Sequence, residues 1–253
     1  MKRQVKEMLQ LTKWAVLGAT ANPKKFGYRI FKLLKSYGYE TYPVNPRETM
    51  IDGEPCFKSL QELPIVPDVV DFVIPPAAAL EALVECEALG IKNVWLQPGV
   101  NTPEVIEKAQ SLGLNVIFDA CAMVESSKKV MLQKKKWVVV DATDGETDDA
   151  LVLSRHLKQR GYSVSLIGVT TGKEEVITDR LFTLLSPIPE VVAITGKPLL
   201  VTRVLQACKL AGYDSVWLQS GSESEEIIDL AISLNLIIVH HASVLEELEE
   251  SGD

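Results

Sequence analysis

Ten consecutive residues, Gly18-Ala19-Thr20-Ala21-Asn22-Pro23-Lys24-Lys25-Phe26-Gly27, combine what a phosphate needs from a protein. Glycine allows a tight turn and close backbone approach, and the helix that should follow offers unpaired N–H groups and the positive end of its dipole. Lys24, Lys25 and Arg29 add cationic side chains. The spacing GxGxxG is absent, so taken alone the loop is equally a plain helix start opened by Asn22-Pro23. A second segment narrows the guest. A unit that binds NAD carries Asp or Glu about 20 residues beyond its glycines, where a carboxylate accepts hydrogen bonds from the ribose hydroxyls. That place holds Pro43-Val44-Asn45-Pro46-Arg47. With no acid there and Arg47 at hand, a phosphorylated ribose is favoured over an unphosphorylated one.

The elements that must carry this loop are legible from periodicity. Trp14 to Gly18 reads as a strand, Tyr28 to Tyr37 as a helix closed by Gly38, and Thr41 to Val44 as a second strand. Strands at Val69 to Ile74, Val94 to Gln97 and Asn115 to Phe118 alternate with helices at Ala77 to Leu89 and Glu104 to Leu112. Such alternation predicts an α/β fold with a parallel, doubly wound sheet, and ligands bind such sheets at the carboxyl ends of the strands.

The pattern occurs twice. Trp14-Ala15-Val16-Leu17 aligns with Trp137-Val138-Val139-Val140, Gly38-Tyr39 with Gly161-Tyr162, Cys86 with Cys208, and Val94-Trp95-Leu96-Gln97 with Val216-Trp217-Leu218-Gln219. Two tandem Rossmann-like domains are expected, 1–127 and 134–253, joined by a linker or short connecting helix at 128–133. The second copy has lost the loop's chemistry. Asp141 replaces Gly18, Thr147 and Asp148 replace the two lysines, and Ala150 replaces Gly27. Carboxylates repel a pyrophosphate, so this copy is expected to act as a scaffold or packing partner. The acidic loop lacks the spacing of a calcium loop, and no metal is expected.

Composition sets the outer bounds. The 253 residues carry a formal charge of −8, which argues against a nucleic-acid partner. The first 133 residues hold 15 basic and 15 acidic side chains and the remainder 11 and 19, so the excess lies wholly in the second half. Apolar runs are strand-length, the first 13 residues are too charged for a secretory leader, and four cysteines without framework spacing fit a reducing compartment. A cytoplasmic protein with no membrane partner is expected.

The loop GATANPKKFG, the segment YPVNPR, Ile74-Pro75-Pro76, the run Trp95 to Val100 and the stretch Phe118 to Glu125 resemble the CoA-binding domain family. That family is similar to the N-terminal Rossmann domain of the succinyl-CoA synthetase α subunit. The resemblance covers roughly residues 1–125 and implies coenzyme A or an acyl-CoA as ligand. Carried over, Gly18, Ala19, Thr20 and Lys24, with Asn22 and Lys25 in the same loop, would cradle the phosphates. Asn45, Pro46 and Arg47 would border the adenosine end, and Ile74, Pro75, Gln97 and Gly99 the pantetheine arm. The family commonly shows Asp-Arg-Cys near the fifth strand; here the run is Asp119-Ala120-Cys121, so that arginine has no counterpart.

Function follows as an expectation from the resemblance: a CoA-binding protein without catalytic activity of its own, holding CoA or an acyl-CoA in the N-terminal domain. A subunit or relative of an acyl-CoA ligase, and an NADP(H)-sensing module, remain alternatives. Ligation through a phosphorylated histidine lacks its key residue, because neither His156 nor the pair His240-His241 sits in a glycine-rich helix-start loop. The pair reads as structural or exposed, and Cys121 as a small buried hydrophobe, with a mixed disulfide to the CoA thiol as the reactive alternative. If related single domains pair, the fused copy would make an intramolecular pseudo-dimer, with a homo-oligomer as the other arrangement.

Overall fold

The computed structural model describes residues 2–170 and 189–251. The chain divides into two compact units, Met1–Ser126 and Ser127–Asp253.

In the first unit, helix α1 (Lys2–Met8) precedes strand β1 (Lys13–Leu17), followed by α2 (Phe26–Ser36) and β2 (Glu40–Val44). A short antiparallel hairpin, β3 (Met50–Ile51) with β4 (Glu54–Pro55), and a 3-10 turn at Leu60–Glu62 come next. Then follow β5 (Val69–Phe72), α3 (Pro76–Ala88), β6 (Asn93–Leu96), α4 (Pro103–Ser111) and β7 (Asn115–Ile117). The five-stranded sheet is parallel with order β2-β1-β5-β6-β7, so the winding reverses between β1 and β5. Both faces of the sheet are covered, which is why its strands are buried almost throughout rather than alternating with polar residues. Ala15, Leu17, Val70 and Phe72 pack on one face with Ala79, Leu83 and Val105 from α3 and α4. Trp14, Val16 and Trp95 pack on the other with Met8, Ile30, Phe31 and Leu34.

Helix α5 (Ala122–Gln133) contains the division between the units, and residues 128–133 are its C-terminal half. The second unit repeats the plan with β8 (Lys136–Ala142), α6 (Asp149–Gln159), β9 (Ser163–Gly168), β10 (Val191–Gly196), α7 (Pro198–Ala211), β11 (Ser215–Leu218), α8 (Glu225–Ser233), β12 (Ile237–Val239) and α9 (Val244–Ser251). Its strand order, β9-β8-β10-β11-β12, is that of the first sheet.

The duplication extends to side-chain hydrogen bonds. Trp14 Nε1 donates to the Leu11 carbonyl at 2.8 Å and Trp137 Nε1 to Lys134 at 2.7 Å; Trp95 donates to Ala120 at 2.7 Å and Trp217 to Ala242 at 2.9 Å. The ring pairs Trp14–Trp95 and Trp137–Trp217 lie 5.8 and 6.0 Å apart. Equivalent N-caps, Thr102 and Ser224, each accept from the backbone N–H three residues on. Among the described residues no helix is long and apolar enough to cross a membrane.

Candidate functional site

At the reversal point the chain leaves β1 through Gly18, at φ +96°, a conformation that favours glycine. Its N–H donates to the Val44 carbonyl at 2.8 Å, tying the loop to the end of β2. A Cβ at Gly18 would lie 2.3 Å from the Val73 oxygen and 2.8 Å from Ile74 Cγ2, and one at Gly27 would lie 2.2 Å from the Gly18 oxygen. The two glycines therefore let the loop sit between the end of β5 and the first turn of α2 with no room for a side chain on either. Helix α2 has no side-chain N-cap and no acidic residue in its first turn, so its dipole faces the loop without a competing carboxylate of its own.

The remaining loop residues make a compact hydrogen-bonded turn. Asn22 Oδ1 accepts from the Lys24 N–H at 3.0 Å and its carbonyl from Lys25 at 3.0 Å. Arg29 Nε donates to the Pro23 carbonyl at 3.1 Å, so the guanidinium braces the loop from α2. Lys24 and Lys25 are exposed. Asn45 fastens the loop to β2: its Nδ2 donates to the Ala19 carbonyl at 2.7 Å and its Oδ1 accepts from the Arg47 N–H at 2.9 Å. That places Asn45 as an organiser of the loop, with Pro46 and Arg47 exposed beside it. Ile74 and Pro75 follow β5, Pro75 preceding the first residue of α3. Gln97 and Gly99 leave the next strand, β6; Gly99 takes φ +94° on the exposed turn, while the Gln97 side chain points into the core.

Two acids that lie outside the sequence motifs shape the site. The absence of an acid holds for Pro43 to Arg47, yet Glu48 follows at once. The turn at Asn45, closed by the Glu48 N–H on the Asn45 carbonyl at 3.3 Å, swings its carboxylate onto the loop, where Oε1 accepts from Thr20 Oγ1 at 2.9 Å and the Ala21 N–H at 3.1 Å. Residue 48 reaches the loop because the chain curls after β2. Its signal in the sequence is the acid that directly follows Arg47. The second is Asp71, fully buried in β5 between Val16 and Trp95. Gln97 Nε2 donates to its Oδ1 at 2.6 Å, while Oδ2 has no partner, and burial pushes the carboxyl up to about 7. A lone acid within Val69-Val70-Asp71-Phe72 was the signal available in the sequence. Near it, burial also raises the Cys121 thiol, against the opposing backbone N–H groups of Val124 and Met123 at the start of α5.

The second copy is built differently at the same place. Strand β8 runs two residues further than β1, pairing Asp141 with Thr195 and Ala142 with Gly196. Asp141 Oδ1 accepts from the Thr143 N–H at 2.9 Å, Asp144 and Gly145 take positive φ, and Glu146 pairs with Lys197. The close approach is met from the opposite strand, where Gly196 stands in the place of Ile74 and a Cβ on it would lie 2.4 Å from Ala142 Cβ.

A family model for the CoA binding domain matches residues 12–127 and again 135–249. The α subunit of an ADP-forming acetate–CoA ligase II from Pyrococcus furiosus is 35% identical over 118 residues, covering 42% of this chain and 26% of that subunit. The uncharacterized protein YneT of Bacillus subtilis is 30% identical over 129 residues, covering 49% of this chain and 92% of that one. A solved structure of a conserved hypothetical protein from Pyrococcus furiosus is 40% identical, covers 45% of this chain and 98% of that one, and has a TM-score of 0.44. The chain thus spans about a quarter of the ligase subunit it matches.

Proposed function

The chain belongs to the CoA-binding domain family twice over, and on that premise we propose that residues 1–127 form a domain that binds coenzyme A or an acyl-CoA, while 134–253 form a copy that does not bind it in the same way. The pyrophosphate lies against Gly18 to Thr20 and the N-terminus of α2, with Lys24 and Lys25 supplying charge. The 3′-phosphoadenosine lies by Asn45, Pro46 and Arg47, and the pantetheine arm runs past Ile74 and Pro75 toward Gln97 and Gly99. The protein holds this ligand without catalytic activity of its own, in the cytoplasm.

One observation carries the reading. At the reversal of the first sheet, two glycines bring a cationic loop against a helix start free of acidic residues, and the equivalent position of the second sheet is filled by an extended strand and Asp141. Such a helix start stabilises a phosphate through N–H donors and dipole together. Family membership favours CoA over NADP(H), which the loop alone leaves as a rival.

The identity to an acetate–CoA ligase α subunit favours a second reading, a component of a thioester-forming enzyme that works with a partner subunit. Isothermal titration of the full chain with CoA, acetyl-CoA, NADP and NADH separates these. A single site for CoA or acetyl-CoA at least about tenfold tighter than NADP supports the proposal. Tighter binding of NADP, or no CoA binding, overturns it. Acyl transfer on addition of a ligase β subunit would establish the second reading.

A further inference from the structure

Five buried side-chain polar atoms among the described residues have no hydrogen-bond partner, and four of them belong to one edge of the second sheet. They are Thr195 Oγ1 at the end of β10, Gln219 Nε2 and Glu223 Oε2 on the loop leaving β11, and His240 Nδ1 just beyond β12. Hydrogen bonds stitch these three chain segments together. The Gly196 N–H donates to Ser222 Oγ at 3.0 Å, the Val244 N–H to Gln219 Oε1 at 3.4 Å, and His241 Nδ1 meets Glu223 Oε1 at 2.9 Å. The Glu223 side chain is only 7% exposed.

Buried polar atoms are normally paired, so a group of four at one strand edge requires a reason. Comparison with the first copy supplies one. There Gln97 Nε2 is met by Asp71 Oδ1 at 2.6 Å. In the second copy Gln219 is retained, but Ala193 occupies the register position of Asp71, so the acceptor is gone and the side chain is cut back to a methyl. At the same edge Asn101 is replaced by Glu223 and Phe118 by His240, which adds a carboxylate and an imidazole where the first copy has an amide and a ring. The chain has exchanged an internally satisfied pair for a set of buried donors and acceptors without partners.

We propose that the carboxyl edge of β10, β11 and β12 is a second binding site, for a small molecule that presents a carbonyl or carboxylate oxygen to Gln219 Nε2 and an amino group to Glu223 Oε2. Thr195 Oγ1 and His240 Nδ1 complete its hydrogen bonds; a neutral imidazole and a hydroxyl can each donate or accept. A cationic donor suits Glu223, because a carboxylate taken out of water is stabilised by an opposite charge. The nearby Lys128 is already bound to Glu247 at 3.0 Å. A phosphate is disfavoured by Glu223 itself, and among the described residues no group of three His, Cys, Asp or Glu side chains is arranged to hold a metal ion. The ligand is opposite in character to the one proposed for the loop at Gly18.

Glycinamide, which joins one ammonium group to one amide carbonyl, is the probe, with acetamide and inorganic phosphate as comparisons. Titrated against the full chain, glycinamide should bind at one site and more tightly than either comparison. Glu223→Gln should weaken it at least about tenfold, the worth of one charge-assisted hydrogen bond. Ala193→Asp, which returns the internal acceptor to Gln219, should abolish binding; Gln219→Leu serves the same purpose if that variant does not fold. CoA binding should be unaltered in all three, which separates this site from the first. Equal glycinamide affinity in Glu223→Gln overturns the proposal, as does a crystal grown in glycinamide that shows only ordered water on the four atoms.

Discussion

Asp71→Asn tests whether the first unit's core holds an ionisable group at a pH-dependent penalty. The unfolded chain releases this proton near 3.8, whereas the folded unit keeps it to about 7. Between those values the folded state binds more protons than the unfolded one, so stability falls as pH rises, by 1.36 kcal/mol per unit. Three units amount to about 4 kcal/mol, lost between roughly pH 4 and pH 7 and level on either side. Asparagine keeps an oxygen for Gln97 Nε2 and, like the protonated acid, carries a donor at the Oδ2 position, but it cannot ionise. The variant should therefore match the parent near pH 4 and exceed it by about 4 kcal/mol at pH 8. Urea unfolding from pH 4 to 8.5, followed by fluorescence in chains with Trp137 and Trp217 replaced by Phe, isolates the first unit, where Trp14 and Trp95 are both buried. A stability difference that stays constant across this range would refute the reasoning, because it would mean that Asp71 titrates alike folded and unfolded.

Other perturbations address the loop. Replacing Lys24 and Lys25 together by Glu should abolish CoA binding in calorimetry while leaving the melting temperature unchanged, since both side chains are exposed; retained affinity contradicts the site assignment. Glu48→Gln keeps an acceptor for Thr20 Oγ1 while removing a negative charge from the loop, so CoA should bind several-fold tighter. A weaker CoA complex in that variant would instead assign Glu48 to the ribose hydroxyls. Gly27→Ala places a Cβ 2.2 Å from the Gly18 oxygen and should destabilise the first unit by about 1–3 kcal/mol in chemical denaturation, with loss of CoA affinity. Gly196→Ala, with its Cβ 2.4 Å from Ala142 Cβ, should destabilise the second unit to a similar extent and leave CoA binding intact.

The sequence by itself determined the α/β class, the duplication and the positions of the main strands. Strand and helix periods are local properties, and the aligned tryptophans recur in both copies because each fills the same place against its sheet. The loop at Gly18 was equally legible, since glycine, lysine and a helix start are neighbours in the chain. Tertiary structure alone decided which side chains meet across strands. The turn after β2 brings Glu48 to Thr20, 28 residues away in sequence. Strand register sets Asp71 opposite Val16 and Trp95 and beside Gln97, and sets Ala193 in the same place in the other copy, leaving Gln219 without its acceptor. Hydrogen bonding between strands and the curl of a loop depend on chain segments far apart, so no local pattern encodes them. The chemistry of both edges rests on those meetings.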